Sequence, residues 1–320
     1  MSEAALKWAA QVITFYRPSF WGFETDEEVI DYSLSHPRDF YDRLMTEVSA
    51  TGVGYVELCM APGDWRTAIA AYGDGAAART AIRSRGLELS GSYQSGWGLE
   101  QGLRDASRRQ AIFDEVERHA DFLHEAGVDL MLTGPTRRGT LEGSIFPRVS
   151  DASIEDTAEI ISEMASIVRT RGVDLAIHTE AYSVVCRVED IDRIMAVTEP
   201  GLVYLCPDSG HIALDGGNPA QVLRDHLPRI RSMHWKDCIG PRTELPASGV
   251  VTHELMMEQF RRMGNGIVDW DGVIAAFDAA AFDGYAVAEI DLSEDPGAEV
   301  RDILDYYARH RHRHRHRGAE

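Results

Sequence analysis

Short runs of β-branched and apolar residues alternate along this chain with stretches of helical period. Eight such runs stand out, at residues 10–15, 54–59, 87–93, 129–133, 173–178, 202–207, 231–235 and 285–290. Each is long enough for a strand, and a helical pattern follows nearly every one. The 3.6-residue spacing is clearest over 27–48, 107–126 and 153–169. Several helical stretches stop at a glycine just before the next run: Gly52, Gly86, Gly127 and Gly172. Glycine there is the expected signal of a helix end. Strand starts fall 29 to 54 residues apart, the spacing of repeated βα units. Eight units predict an α/β fold, a closed (β/α)8 TIM barrel forming a single domain over residues 1–308. An open sheet of six or seven strands is the alternative. No GxGxxG follows the first strand, so no nucleotide cofactor is expected.

Composition narrows the function. The 320 residues are 44% hydrophobic and 26% charged, which is ordinary globular usage with ample chain for a core. The net charge is −20, from 32 basic and 52 acidic residues. Without the final segment 309–320, which holds five Arg and one Glu, the body carries −24. Such a body repels phosphate backbones, so no nucleic-acid partner is expected. No run of about 18 apolar residues is present, so no membrane span is expected. No basic start leads into an apolar run, so no signal peptide is expected either. Cys59, Cys186, Cys206 and Cys238 form no CxxC pair, which points to a reducing cytoplasm. The Arg/His repeat at 309–317 reads as a solvated, disordered end or as an interaction segment for metal or an acidic partner.

In a barrel, chemistry sits where strands end. The last four strands end in HTE, CPDSGH, MHWKD and AEID. They offer Glu180, Asp208, His234 and Glu289, one ligand-type residue from each of four successive strands. Three carboxylates and an imidazole suit one divalent cation, Mn²⁺ first, with Mg²⁺ or Co²⁺ as alternatives and Zn²⁺ behind. Strand alternation puts His178 on the face of Glu180, and Lys236 on the face of His234. Asp291 stands in the same relation to Glu289. His211 follows Asp208 by three residues, as a site group or a packing residue. Lys236 is one of only two lysines, with Lys7, and needs a charge partner from Asp237 or the carboxylates nearby.

The stretch 203–296 resembles the xylose-isomerase-like superfamily of sugar isomerases, epimerases and dehydratases, through DSGHIALDGGNP, RIRSMHWKDC, GNGIVDWDGVIAAF and YAVAEIDLSEDP. Within it the nearest branches are the inosose dehydratases and the catalytic subunits of bacterial C-glycoside deglycosidases. The resemblance implies a barrel holding one metal through Glu180, Asp208, His234 and Glu289. It implies substrate-contacting or proton-handling roles for His211 and Lys236. It also implies an oligomer, in one branch assembled with a small β-rich second chain. HTE at 178–180 departs from the HPH-like spelling of inosose dehydratases and lies closer to the epimerase pattern.

These activities share a first step, removal of a proton next to a metal-held ketone. The preferred bases are Glu180, Glu289 or His178, with His211 as acid for a leaving group and Lys236 steadying the enolate. Expulsion of a β-substituent makes a lyase, the leading expectation. Reprotonation makes an isomerase or epimerase, the alternative. A non-catalytic sugar-binding subunit is more distant. The loops after strands seven and eight lack a glycine-rich phosphate cradle, which favours an uncharged carbohydrate or glycoside. Tyr16, Trp21, Tyr93, Trp97, Tyr182 and Trp235 are candidates to stack on it. The long segment 134–150, with Arg137 and Arg138, is expected to cover the site or meet another subunit.

Overall fold

The computed structural model describes residues 6–94, 106–135, 148–241, 253–280, 282–291 and 293–317. Ten strands are present among them: β1 (Lys7–Gln11), β2 (Tyr55–Leu58), β3 (Glu88–Gln94), β4 (Leu130–Thr133), β5 (Asp174–His178), β6 (Val203–Cys206), β7 (Ser232–Trp235), β8 (Asp237–Cys238), β9 (Phe260–Arg261) and β10 (Tyr285–Ala288). Eight form one parallel sheet in the order β6-β5-β4-β3-β2-β1-β10-β7. The two ends of that sheet meet. Arg231 N–H donates to the Leu205 carbonyl at 3.2 Å and His234 N–H to the Pro207 carbonyl at 2.9 Å. The result is a nearly closed TIM barrel with helices between the strands, as the repeat pattern predicts.

The helices follow the patterning. Asp151–Arg169 starts at Ser150, whose hydroxyl accepts from Ser153 N–H at 3.1 Å. It buries Ile154, Ala158, Ile161, Ala165 and Val168, a stripe at three- and four-residue spacing against the barrel. Gly52, Gly86, Gly127 and Gly172 all have positive φ, between +68° and +89°, the left-handed turn that ends each helix.

Four details depart from the sequence pattern. The first strand is Lys7–Gln11, and Val12–Phe15 is a 3₁₀ turn. Pairing with β10 and β2 stops at Gln11, and the apolar run continues as packing above the barrel. The helix expected over 27–48 is two helices, Asp26–Ser35 and Pro37–Ser49. Pro37 lacks the N–H that would continue the ladder, and it holds His36 away from helical geometry. A small antiparallel pair, β8 with β9, sits beyond β7. The helix Pro296–Arg317 runs on through the Arg/His repeat where a disordered end was one expectation. Arg311 pairs with Asp278 at 3.1 Å, and the His310 ring stacks on Tyr306 at 3.8 Å, so the start of the repeat is tied to the body. Among the described residues no helix is long and apolar enough to cross a membrane.

Candidate metal centre and active site

Asp208 shows how the site is assembled. It caps the short helix Ser209–Leu214, its Oδ1 accepting from His211 N–H at 2.8 Å. That single bond fixes the carboxylate and turns Oδ2 into the barrel mouth. Oδ2 lies 3.6 Å from His178 Nε2, 3.7 Å from His234 Nδ1 and 3.5 Å from Lys236 Nζ. Glu289, just past β10, brings Oε2 within 2.6 Å of His234 Nδ1. One ligand-type atom from each of His178, Asp208, His234 and Glu289 lies within 4.8 Å of the others, and all four residues are buried.

The donor chemistry fits a cation. Both His178 nitrogens, Asp208 Oδ2 and Glu289 Oε2 are buried without an aligned hydrogen bond. Orphaned buried polar atoms are costly unless something else satisfies them. The region also holds five carboxylates (Glu57, Glu180, Asp208, Glu289 and Asp291) with Lys236 as the ammonium among them. A divalent ion at the orphaned atoms would offset that excess.

Glu180, expected among the ligands, is not one of these four residues. β5 ends at His178, whose ring enters the ligand cluster, while Glu180 is half-buried on the wall of the same cavity. The Tyr93 hydroxyl donates to its Oε2 at 3.5 Å. Gly134 makes room for this pair, since a Cβ there would lie 1.9 Å from the Tyr93 oxygen and 2.9 Å from Glu180 Oε2.

Lys236 is fully buried, and its Nζ donates to Glu289 Oε1 at 2.5 Å and Asp291 Oδ2 at 2.9 Å. Burial works against its charge, but Asp208, Asp291 and Glu289 together hold its pKa well above the ordinary value. Burial, and then the Glu289 charge, push the Asp291 carboxyl up to about 7 against the pull of Lys236. Asp237 is not a partner of Lys236. Its carboxylate accepts from Cys238 N–H, Gly264 N–H, Val268 N–H and Trp270 Nε1–H, at 2.9 to 3.0 Å. It thereby pins the GNGIVDW segment, where a Cβ on Gly266 would fall 2.1 Å from Asp237 Oδ1.

His211 lines the cavity as a neutral ring. Its Nδ1 accepts from Ala181 N–H at 2.9 Å, so the proton is on Nε2. Burial, and then the Lys236 charge, hold its pKa well below the usual imidazole value.

Of the candidate stacking aromatics, Tyr93 lines the cavity. Trp21 and Trp235 belong to the core, stacked on Phe40 at 4.4 Å and on Trp270 at 5.3 Å. Tyr16 is tied to the Met60 carbonyl at 2.7 Å. Tyr182 is buried with φ +63°, a left-handed backbone beside the site. Trp97, Arg137 and Arg138 lie outside the described residues, as does most of the segment 134–150. Two site residues had escaped the sequence reading, Gln11 and Glu57. Glu57 carried a signal, a carboxylate inside the otherwise apolar strand YVEL.

A family profile described as xylose isomerase-like TIM barrel matches residues 45–310. The chain belongs to the xylose isomerase-like TIM barrel family. It is 26% identical over 230 residues to an inosose dehydratase of Geobacillus thermodenitrificans, covering 68% of this chain and 73% of that protein. The solved structure of IolI protein with a bound zinc atom superposes with a TM-score of 0.65 at 13% identity, covering 96% of this chain and 98% of that one. So does 3-keto-D-glucoside 4-epimerase, YcjR, of E. coli, with a TM-score of 0.65 at 17% identity, covering 95% and 99%. Likeness at that identity speaks for the fold, which this family member shares with both.

Proposed function

We propose that this chain is a divalent-metal-dependent lyase acting on a keto polyol, keto sugar or 3-keto glycoside by α-proton removal and β-elimination. The similarity to an inosose dehydratase supports an enzyme of keto-sugar dehydratase or epimerase type. The proposed ligands are His178, Asp208, His234 and Glu289. Two imidazoles and two carboxylates suit Mn²⁺, Co²⁺ or Zn²⁺ better than Mg²⁺. When bound, the cation would polarise the substrate ketone and acidify the neighbouring C–H.

The chain's own residues supply the rest. Glu180 is the base: among the described residues its carboxylate meets only the Tyr93 hydroxyl. Glu289 Oε1 accepts from Lys236 Nζ, and its Oε2, which has no hydrogen bond, is a proposed ligand atom, so Glu289 is not offered as the base. His211, with its proton on Nε2, hydrogen-bonds the departing oxygen or carbon substituent, and the proton that leaves with that group is the one Glu180 removed. Lys236 offsets the negative charge that develops as the proton leaves.

One observation carries the choice of elimination. Epimerisation through an enolate takes a proton off one face and returns one to the other, which calls for a group on each. Among the described residues the cavity offers Glu180, met only by the Tyr93 hydroxyl, as the base and neutral His211 as a hydrogen-bond donor to the leaving group, the pair an elimination needs. Dehydration of a keto polyol yields an enone or its diketone tautomer, which absorbs in the near ultraviolet, whereas an epimer does not. Metal-loaded protein mixed with a keto-inositol should develop that absorbance, and a chelator should abolish it. Turnover to an epimer with no chromophore would overturn the assignment.

A further inference from the structure

Beside the ligand cluster lies a carboxylate that the proposed chemistry does not use. Glu57 projects into the barrel from β2, level with Gln11 on β1 in the strand register. It is completely buried. Its Oε1 accepts from Gln11 Nε2–H at 2.9 Å and lies 2.8 Å from His234 Nε2. That second contact has the distance of an ion pair without the alignment of a hydrogen bond, and Glu57 Oε2 has no partner. On the other side of the same ring, Nδ1 faces Glu289 and Asp208, with Gln11 Nε2 3.5 Å away.

A buried carboxylate with one oxygen unpartnered adds little to a fold, and an apolar residue of similar volume would serve the core as well. Its placement makes sense through His234. An imidazole can bind a cation through one nitrogen only while the other carries the proton, and the group facing that second nitrogen decides which is which. We infer that Glu57, steadied by Gln11, is a positioning residue that keeps the proton of His234 on Nε2 and so presents Nδ1 as the ligand atom. Gln11 steadies the carboxylate. Its amide N–H fixes Oε1 of Glu57 in place, so the carboxylate cannot swing toward the substrate cavity and compete for the cation.

This inference rests on the reading of His234 as a ligand, and the experiment separates the two. Dissociation constants for Mn²⁺ and Co²⁺ are measured by chelator competition on the purified full chain, alongside the visible spectrum of the Co²⁺ form. Glu57→Gln keeps the volume and removes the charge. It should weaken both ions by roughly ten- to a hundredfold and shift the Co²⁺ spectrum, while thermal unfolding of the metal-free chain stays near wild type. Gln11→Leu should act in the same direction and more weakly, and it serves if Glu57→Gln does not fold. Glu57→Asp, which retains the charge, should recover part of the affinity. Unchanged affinity and spectrum in folded Glu57→Gln or Gln11→Leu would overturn the role of Glu57 and leave the ligand set standing. Failure of the wild-type chain to bind either ion would overturn both.

Discussion

The carboxylate of Glu180 meets the hydroxyl of Tyr93 at 3.5 Å, one step outside the cluster formed by His178, Asp208, His234 and Glu289. On this separation we propose different tasks for His178 and Glu180 of HTE. Glu180→Gln should keep the metal and lose roughly two to four orders of magnitude in turnover, the usual worth of a general base. His178→Ala should lose the metal itself. Elemental analysis and turnover on the two variants check this. A metal-free Glu180→Gln protein would return Glu180 to the ligand set.

Lys236 should be essential to turnover and dispensable for the metal. Lys236→Met removes the ammonium from between Glu289, Asp291 and Asp208. Turnover should fall by about two to three orders of magnitude, as on loss of one oxyanion donor. Lys236→Arg should not restore it, because the planar guanidinium is larger and holds its donors in a fixed fork. Near-normal turnover in a folded Lys236→Met protein would leave the residue a structural counter-ion only.

Asp237 stands next in sequence to Lys236 but carries structure rather than chemistry. Asp237→Ala strands the N–H groups of Cys238, Gly264 and Val268 and the Trp270 indole. The expected cost is about 3 kcal/mol or more, from several buried donors left unpaired. Denaturant unfolding should show it, with the metal affinity of the folded fraction intact.

Much of this architecture is legible in the chain, for physical reasons. Barrel strands are buried on both faces and read as short apolar runs, and the glycines that stop the helices must take positive φ. The convergence of Asp208, His234 and Glu289 follows from strand ends alone. That His178 lies beside them does not, because His178 and Glu180 share a face and only the point where β5 ends brings the His178 ring into the cluster. Likewise HWKD gives no hint that Asp237 turns away from Lys236, since the partners that claim it come from a segment some 27 to 33 residues on. Glu57 was visible as a charge in an apolar strand, but its partner His234 is a long-range contact that no local pattern reveals.

His119 should make the fold acid-sensitive. It is completely buried, with Nδ1 2.7 Å from Gln94 Oε1 and Nε2 2.8 Å from Ser92 Oγ. Burial, with the Arg66 charge behind it, pushes its pKa down to about 3. The unfolded chain takes up a proton near pH 6.5 and the folded chain does not, so the contribution of this ring to stability is complete above pH 6.5 and is lost as pH falls toward 3. The slope is about 1.4 kcal/mol per pH unit for one proton. His119→Gln should flatten unfolding free energy against pH by about that amount between pH 6 and 4. An unchanged slope would mean that His119 is protonated in the folded protein.

The reaction itself is the most direct test. Metal-loaded protein should be incubated with keto-inositols, 3-keto glycosides and simple ketoses, and the products weighed by mass spectrometry. The expected product is lighter by one water from a keto polyol, or by its aglycone from a 3-keto glycoside, with no such product from Glu180→Gln. Products of unchanged mass, formed by the wild-type chain across the whole panel, would contradict elimination and make the enzyme an isomerase or epimerase.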